Sequence, residues 1–395
     1  MPEVKVISST GNAMVSQAYR QAEPDVVAAY PITPQTTIIE GFAKFVANGQ
    51  VRTEFVTVES EHSAMSACVG ASSAGARVAT ATSSQGLAYM WEELYIAAGM
   101  RLPIVLANAN RALSAPINIH GDHSDIMGAR DAGWIILMAE NAQEAYDNTL
   151  MAFRIAEDPR IQNPVITSLD GFITTHAMER CELLDDESVK GFVGTYTGAP
   201  HPLLDTSNPV AHGMFANLGG TYMELKKSQR ELMQTAPAVI QEIGDEWEKV
   251  CGRPYNPIET FGMEDAEYAL VVIGSAAGNA RHVARDLRAK GHKVGVVRIR
   301  LFRPFPAAEV AEAVKNCKAV GVLDRAEAMG APYGPLGEDV VTSLYALDHK
   351  IPVKDYIYGL GGADVTIEIL EQAFGELEQL AAGQIDGGLA YLGAR

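Results

Sequence analysis

Short apolar runs alternate with amphipathic segments along the first part of the chain. Each run has the length of a buried strand, and the segment after it carries apolar residues at the spacing of a helix face. Ile39, Phe42 and Val46 show that helical spacing between two of the runs. Strands that alternate with helices in this way predict an α/β fold with a parallel, doubly wound sheet.

The predicted elements end where glycine, proline or capping residues interrupt the pattern. The predicted strands are Val4–Ser8, Val26–Tyr30, Phe55–Val58, Arg77–Thr82, Ile104–Ala107, Gly133–Met138 and Pro164–Ser168. The predicted helices are a segment capped by Ser9–Asn12 that reaches about Ala22, then Thr36–Ala47, Glu61–Ala74 and Ala142–Ile155.

The pattern weakens between about 171 and 262, where loop-like segments surround one charged helix at about Met223–Lys249. A second alternation of strands and helices begins around Ala266. We therefore predict a first domain at residues 1–235 with a connector to about 262, and a second, smaller α/β domain at 263–395. The glycine-rich tail, Ala381–Arg395, is expected to pack on a partner or to fray.

The turn before the first helix of the second unit reads G-S-A-A-G-N, at 274–279. Backbone amides at the start of a helix attract anions, so this turn has one feature of a phosphate site. It lacks both the G-x-G-x-x-G pattern and the acidic residue that a dinucleotide site requires. The sequence therefore favours a structural strand–helix turn.

Polar residues concentrate in loops that follow the predicted strands, namely 28–37, 56–65, 83–86 and 107–125. In a doubly wound sheet these loops share the carboxyl edge, where ligands bind. The longest loop contains Arg111, whose guanidinium suits bidentate capture of a carboxylate. We therefore predict one site built from these loops.

The 395 residues are 47% hydrophobic and 20% charged, with a formal net charge of −18. That charge argues against nucleic acid and anionic membrane as partners. No apolar run approaches the ~20 residues that cross a bilayer, and the first residues lack the features of a signal peptide, so the cytoplasm is expected. Four cysteines without a C-x-x-C pair predict no zinc, iron–sulfur or other metal site held by this chain alone.

Six ordered segments together resemble one known family: GNAMVSQAY, AYPITPQT, ESEHSAM, ATSSQGL, NRALSAPINIHGDHSD and RIRLFRPFP. The chain resembles the α subunits of 2-oxoacid:ferredoxin oxidoreductases, in particular those acting on pyruvate (pyruvate synthase). The resemblance implies a thiamine diphosphate pyrimidine-type domain followed by a transketolase-C-terminal-like domain. It also implies oxidative decarboxylation of pyruvate with coenzyme A to acetyl-CoA and CO₂, with electrons passing to ferredoxin, as part of anaerobic metabolism.

The resemblance assigns Glu61 to the carboxyl group that activates the thiamine pyrimidine ring, with Glu59 as the local rival. It assigns Arg111 to the carboxylate of the substrate and places Thr33 beside it. The alternatives are a salt bridge from Arg111 to Asp122 or Asp125, and a Thr33 hydroxyl that bonds its own turn.

Four further residues of these loops have less specific expectations. Pro31 and Gln85 are expected to face the cofactor. His120 and His123, with Asp122 between them, either contribute to the substrate side of the site or hold the loop together. The residues alone leave these two interpretations open.

The Gly-Asp-Gly…Asn signature that binds the diphosphate in thiamine enzymes does not occur in the sequence. The chain is therefore expected to supply half of a shared site, with Mg²⁺ and [4Fe-4S] clusters on partner subunits of β, γ and δ type. Other 2-oxo acids (branched-chain, 2-oxoglutarate, aryl pyruvate, oxalate) stay open as substrates, with Arg101 and Arg130 as the available cations for a second carboxylate. A non-catalytic scaffold subunit is the further alternative.

Overall fold

The structure is a computed structural model that describes residues 3–198 and 202–394. The strands are β1 (Val4–Ser9), β2 (Val26–Ala29), β3 (Glu54–Thr57), β4 (Val78–Thr82), β5 (Ile104–Asn110), β6 (Ile135–Ala139), β7 (Val165–Asp170), β8 (Glu179–Leu184), β9 (Ile258–Phe261), β10 (Tyr268–Ile273), β11 (Val294–Ile299), β12 (Leu301–Arg303), β13 (Ala319–Asp324), β14 (Val353–Ile357) and β15 (Gly388–Tyr391). The helices are α1 (Gly11–Ala22), α2 (Thr36–Ala47), α3 (Glu61–Ser73), α4 (Gln85–Tyr89), α5 (Trp91–Gly99), α6 (Ser124–Ala129), α7 (Ala142–Glu157), α8 (Asp186–Val193), α9 (Thr221–Cys251), α10 (Ala276–Ala289), α11 (Ala307–Val314), α12 (Pro335–Ala346) and α13 (Ile367–Ala381).

The first sheet has the strand order β12-β6-β7-β5-β4-β2-β3. Its strands are parallel except for β12, which pairs antiparallel with β6 at one edge. The prediction of a parallel, doubly wound α/β fold is confirmed. One predicted strand lies outside this sheet, because β1 pairs antiparallel with β8 in a separate ribbon, where Val4 and Val6 are exposed.

Successive residues of the central strands face opposite cores, as the alternation of side chains in a strand requires. In β5, Val105 and Ala107 contribute to a core shared with α1, α2 and α7. Ile104 and Leu106 contribute to a second core, shared with α3 and α5. Burial on both faces explains why these strands read as continuous apolar runs in the sequence.

The second sheet has the order β15-β14-β13-β10-β11-β9 and is parallel except for β9. The expected fraying of the glycine-rich tail is wrong for Gly388–Tyr391, which pairs with β14 as β15. Arg395, at the end of that tail, lies outside the described residues. The predicted charged helix of the connector is present as α9, which is longer than expected, and the connector also contains β8, α8 and β9.

The two sheets are joined by more than the connector. A single hydrophobic core contains Met138 of β6, Ile273 of β10 and Val310 of α11, so side chains from both sheets pack together. Because β9 precedes residue 262 and β12 joins the first sheet, the chain crosses between the two units more than once. The division at about 262 stays a prediction. Within the described residues, no helix is long and apolar enough to cross a membrane.

Candidate active site

The carboxylate of Asp125 connects the strand ends that border the predicted site. Its Oδ2 accepts hydrogen bonds from the amides of Ser84 (2.9 Å) and Arg111 (3.1 Å) and from the side chain of Asn108 (3.2 Å). Its Oδ1 accepts from the side chain of Asn110 (3.1 Å). Burial raises the pKa of this carboxyl to about 6, although the hydrogen bonds that it accepts act to lower that pKa. Asp125 therefore fixes the loop after β5 to the ends of β4 and β5.

The guanidinium of Arg111 is buried and is held by backbone carbonyls. Its Nε donates to the carbonyl of Asn118 (2.9 Å) and its Nη1 donates to the carbonyl of Thr33 (3.0 Å). Across the described ranges, no carboxylate lies within ion-pair distance of this cation, and its Nη2 has no hydrogen-bond partner. The salt bridge to Asp122 or Asp125 is therefore not formed, since Asp125 binds the Arg111 amide instead. Burial lowers the pKa of Arg111, while the charge of Asp125 opposes that shift.

The loop between β2 and α2 presents Pro31 and Thr33 at the surface. It is anchored by Gln35, which is buried and donates through Nε2 to the carbonyl of Ala81 (2.9 Å). The contact between the Thr33 carbonyl and Arg111 ties this loop to the one after β5. In the part of the chain that the structure describes, the Thr33 hydroxyl makes no hydrogen bond to its own turn.

Glu61 is the first residue of α3, which begins there because the Ser60 side chain accepts from the amide of Ser63 (3.1 Å). Glu61 is 7% exposed, yet its carboxylate forms no hydrogen bond or ion pair with any residue in 3–198 or 202–394. Gly86 packs against it so closely that a Cβ there would lie 2.8 Å from Glu61 Oε1. The rival Glu59 is exposed, and a hydrogen bond from the Ser63 hydroxyl lowers its pKa.

Gln85 is half-buried at the start of α4, directly after a strained residue. Ser84 has a φ of 49°, in the left-handed region that residues other than glycine rarely adopt. Its hydroxyl donates to the carbonyl of Ala112 (2.6 Å) and its amide donates to Asp125. Such strain persists only where surrounding contacts fix the backbone, and it is concentrated at functional sites.

The two histidines of the loop have different environments. His123 is fully buried, with its Nε2 2.6 Å from Asp170 Oδ1, and Asp170 Oδ2 accepts from Arg325 Nη1 (3.2 Å). Burial would raise the pKa of Asp170, but the charges of His123 and Arg325 outweigh it and hold that pKa below its usual range. His120 is exposed beside the ring of Phe172, at 5.4 Å between centroids. The structure thus gives His123 a loop-holding position and leaves His120 open to solvent.

Asp122 holds the loop against the second unit. Its Oδ1 accepts from the amide (3.0 Å) and the hydroxyl (2.6 Å) of Ser124, and its Oδ2 accepts from the amide of Gly361 (3.0 Å). The next residue, Gly362, approaches His120 so closely that a Cβ there would lie 2.4 Å from the His120 Cβ. The turn after β14 is therefore fitted to this loop.

The predicted residues differ in exposure: Pro31, Thr33 and His120 are exposed, whereas Glu61 and Arg111 are buried. His120 lines a cavity of about 460 Å³. Cavities of about 1080 Å³ and 530 Å³ lie elsewhere on the chain, beside Asp185 and Glu246 in one case and beside Asp25 and Tyr196 in the other. None of the predicted site residues lines either cavity.

Direct contacts connect the predicted loops in pairs. Thr33 contacts Arg111, Glu61 contacts the residue after Gln85, and the residue before Gln85 bonds the loop of Arg111. The roles of Glu61, Arg111, Thr33, Pro31 and Gln85 stay predictions.

Sequence reasoning missed three buried residues that hold these loops: Asp125 as an anchor, and the pair Asp170 and Arg325. Asp170 is the last residue of β7, at the sheet edge where the other polar residues lie. Its position in the sequence could therefore have identified it as a candidate site residue. The sequence gives no sign that Arg325 reaches it across the two sheets.

Comparison with known sequences identifies two family regions in this chain. The profile described as "Pyruvate flavodoxin/ferredoxin oxidoreductase, thiamine diP-bdg" matches residues 17–245. The profile "Pyruvate:ferredoxin oxidoreductase core domain II" matches residues 266–370. Together they span most of the chain.

Relatives align with the chain over nearly its whole length. "Pyruvate synthase subunit PorA" of Thermotoga maritima is 51% identical over 371 residues, which are 94% of each chain. "Ketoisovalerate oxidoreductase subunit VorA" of Pyrococcus horikoshii is 41% identical over 98% of this chain and 96% of its own length.

A similar solved structure is the 2-oxoglutarate:ferredoxin oxidoreductase from Magnetococcus marinus with 2-oxoglutarate, coenzyme A and succinyl-CoA bound. The TM-score is 0.71 at 22% identity, over 94% of this chain and 65% of that chain. At this identity the likeness shows the fold alone.

Proposed function

This chain belongs to the pyruvate flavodoxin/ferredoxin oxidoreductase family, as an α-type subunit, and we propose that it supplies the substrate-facing half of a shared active site. The reaction is the reversible oxidative decarboxylation of pyruvate with coenzyme A to acetyl-CoA and CO₂, with electrons passed to ferredoxin. The observation that carries this proposal is the pair of unmatched charges at one sheet edge. Among the residues described, no carboxylate pairs with the buried cation of Arg111, and no donor bonds the buried carboxylate of Glu61.

The environment of Glu61 fits a thiamine pyrimidine ring. A carboxyl group with no partner among the described residues can exchange a proton with a ring nitrogen of a ligand. Gly86 permits the close approach of α4 that buries this carboxylate. Glu61 would hold the proton at its Oε atoms, while Pro31 and Gln85 would border the ring. Thiamine diphosphate, when bound, supplies the nucleophilic carbon that cleaves the bond between the carbonyl and carboxylate of a 2-oxo acid.

Arg111 would bind the substrate carboxylate through Nη2, which has no partner among the described residues, with the exposed Thr33 hydroxyl beside it. The carbonyls of Asn118 and Thr33 and the amide bond to Asp125 fix the direction of the guanidinium before substrate arrives. A cation that is oriented in advance loses little entropy on binding. A charge-assisted bond to a carboxylate contributes ~1.5–3 kcal/mol.

The remaining parts of the reaction are assigned to partner subunits of β, γ and δ type. The sequence has no diphosphate signature, so Mg²⁺ and the diphosphate would lie on a partner. All four cysteines are free, widely spaced thiols, so [4Fe-4S] clusters would also lie on partners. Free thiols suit a reducing compartment, and the proposal therefore places the complex in the cytoplasm.

The contacts of Arg101 and Arg130, the two arginines considered as ligands for a second carboxylate, favour pyruvate over a dicarboxylic 2-oxo acid. Arg101 donates to the carbonyls of Gln162 and Ile161. Arg130 forms an ion pair with Glu338 at 2.8 Å. Because both cations are occupied, neither of them is free to bind a second carboxylate. A branched-chain 2-oxo acid is the second candidate, on the similarity to the ketoisovalerate enzyme subunit.

The test is an assay of the purified multisubunit complex with coenzyme A, a viologen acceptor and a panel of 2-oxo acids. Pyruvate should give the highest kcat/KM. A preference for 2-oxoisovalerate would replace the substrate while keeping the site. A colourless complex without thiamine and without turnover on any 2-oxo acid would favour the scaffold alternative.

Calorimetry on the isolated chain tests the sharing of the site. Thiamine diphosphate should bind weakly or not at all, because this chain offers contacts to the pyrimidine only. Tight, Mg²⁺-dependent binding to the isolated chain would contradict the shared site.

A further inference from the structure

One buried asparagine joins the start of α1 to the loop that carries Thr33. Asn12 is 0% exposed and belongs to the segment GNAMVSQAY, to which the proposed function gives no role. Its Nδ2 donates to the carbonyl of Pro34 (2.7 Å) and to the hydroxyl oxygen of Thr37 (2.8 Å). Because a carbonyl can only accept a hydrogen bond, the Asn12 atom that faces Pro34 must be the amide nitrogen. Asn12 therefore ties the turn at 34–37 to α1.

The start of α1 is itself fixed by the turn that follows β7. The amide of Gly11 donates to the carbonyl of Thr174 (2.9 Å), and the amide of Asn12 donates to the carbonyl of Thr175 (3.3 Å). A Cβ on residue 11 would lie 2.4 Å from the Thr174 oxygen, so this approach requires glycine. Asn12 thus reaches the loop after β2 from an anchored position.

The turn that Asn12 holds also carries the carbonyl that orients Arg111. The Thr33 carbonyl, one residue before Pro34, accepts from Arg111 Nη1 (3.0 Å). Gly171, directly after β7, packs so closely that a Cβ there would lie 2.1 Å from a carbonyl oxygen of β5 and 3.0 Å from Pro34 Cγ. The loops after β2, β5 and β7 therefore meet around Pro34. A shift of this residue would move the Thr33 carbonyl and with it the guanidinium.

Another residue of α1 provides a hydrogen bond to α2 that does not involve the site. Ser16 is buried and donates its hydroxyl to the carbonyl of Ile38 (2.9 Å). The packing of α1 against α2 thus has a hydrogen bond of its own. The bond from Asn12 to Pro34 differs, because it ends in the loop that contacts Arg111.

We propose that Asn12 is a positioning residue for the carboxylate of the substrate. It fixes the turn at Thr33 and Pro34, and through the Thr33 carbonyl it fixes the direction of Arg111. Small displacements of a binding group cost much of its effect, even when their origin is far from the chemistry. The inference rests on the proposed function, which assigns the substrate carboxylate to Arg111.

The main test is Asn12→Ala in the assembled complex. The change removes the donor to the Pro34 carbonyl, so the turn should shift and KM for pyruvate should rise ~5-fold or more, with kcat within about twofold of wild type. Thiamine content should stay at the wild-type level, because Glu61 lies on α3. An unchanged KM, measured where Arg111→Ala does change it, would overturn the positioning role and leave the proposed function intact.

Asn163→Ala is the matched control. Asn163 is 1% exposed and also donates through Nδ2 to a backbone carbonyl, that of Gly133 (3.0 Å), at the opposite edge of the first sheet. Both alanine variants should lower the melting temperature, but Asn163→Ala should leave KM within about twofold of wild type, as should Ser16→Ala. Equal increases of KM in Asn12→Ala and Asn163→Ala would overturn the proposal, since the effect would then be a general loss of stability.

Asn12→Asp keeps the side-chain volume and tests the donor alone. A protonated carboxyl can donate to the Pro34 carbonyl, whereas the ionised form cannot. Relative to wild type, the KM of this variant should therefore be close to normal at low pH and should rise as pH increases. A KM ratio that does not change with pH would contradict a role for the donated hydrogen bond. This variant also keeps the proposal testable if Asn12→Ala fails to assemble.

A double-mutant cycle determines whether Asn12 acts through Arg111. If it does, Asn12→Ala should lower kcat/KM much less in the Arg111→Ala background than in wild type. Full additivity of the two losses would overturn the proposal. Absence of any effect of Arg111→Ala on kcat/KM would contradict the proposed function, and with it the inference that rests on it.

Discussion

Buried charges are arranged in opposite ways at the carboxyl edge of the first sheet and at the junction of the two sheets. At the junction, Arg298 is 1% exposed and contacts Glu144 (2.6 Å) and Glu259 (2.9 Å), and Arg300 contacts Glu144 (2.7 Å). At the edge, neither Arg111 nor Glu61 forms an ion pair with any residue that the structure describes. Full pairing is the pattern of a structural contact, whereas an unmatched charge indicates a ligand.

Three acidic residues at the junction are close enough together to bind a metal ion, but they are paired with arginines instead. Oxygens of Glu140, Glu144 and Glu259 lie within 4.8 Å of one another. Arg298 contacts all three carboxylates, and its charge and that of Arg300 outweigh the effect of burial and hold the pKa of Glu144 at about 2. The arginines therefore supply the positive charge that a metal would otherwise provide.

The largest effect is expected for Glu61→Gln in the assembled complex. The amide keeps the shape of the carboxyl but cannot exchange the proton, so kcat should fall by ~10²–10⁴-fold. The melting temperature should stay near wild type, because Glu61 has no hydrogen-bond or ion-pair partner to lose among the residues described. Glu59→Gln is the matched control and should keep activity within threefold of wild type. If Glu59→Gln instead abolished activity and Glu61→Gln did not, the proton-exchanging carboxyl group would be Glu59.

The complementary change at the junction is Glu144→Gln. It leaves Arg298 and Arg300 buried beside a neutral amide, and loss of one partner of a buried pair costs ~3–5 kcal/mol of unfolding free energy. Denaturant unfolding of the complex measures this loss, while kcat/KM of the folded fraction should stay near normal. Asp186→Asn, which breaks the exposed pair with Arg20, should cost less than ~1 kcal/mol. Equal losses in the two variants would contradict the role given to the junction.

The two regions should respond to pH with opposite sign. Burial raises the pKa of Asp125 to about 6, so its contribution to stability is greatest below about 4 and is lost as pH rises through 6. The pKa of Glu144 is lowered to about 2, so its contribution is present above about 4.5 and is lost as pH falls through 2. Between pH 4 and 7 the stability of wild type relative to Asp125→Asn should fall by up to ~3 kcal/mol. Over the same range the stability relative to Glu144→Gln should rise by less than ~1 kcal/mol, mostly below about pH 5. Thermal unfolding of wild type, Asp125→Asn and Glu144→Gln across this pH range measures both differences in stability.

The smallest effect is expected for Arg111, where a ligand contact rather than a proton transfer is lost. Arg111→Ala should lower kcat/KM for pyruvate at least ~10-fold, and Arg111→Lys should recover only part of it, because an ammonium lacks the planar fork. Thiamine content should stay at the wild-type level in both variants. Lost thermal stability with normal kcat/KM would show that the cation is structural.

The layered fold was predictable because burial on both faces makes strands such as β5 continuous apolar runs, and because helices show their period of 3.6 residues. The edge that carries the site was predictable for the same reason, since parallel strands place Thr33, Glu61 and Arg111 at one end. The edge strands β12 and β15 were not predictable. β12 has only three residues, and β15 lies in a glycine-rich tail, so neither has a pattern of its own.

The hydrogen-bond partners of the site residues could not be predicted from the sequence either. Asp125 was considered as a salt-bridge partner, yet it binds backbone amides and two asparagines, which depends on the course of the loop rather than on residue type. The contact of Asp170 with Arg325 joins residues 155 positions apart. Such pairs are decided by how the two sheets pack.

The antiparallel pairing of β12 with β6 limits how this protein could be recombined with its relatives. A chimaera joined at residue 262 would separate residues 301–303 from the sheet whose edge they cover. The exposed edge of β6 would then offer unpaired backbone groups to neighbouring molecules, which is a common origin of aggregation. Exchange of the second half between subunits of different substrate class therefore requires that Leu301–Arg303 and β6 come from the same parent.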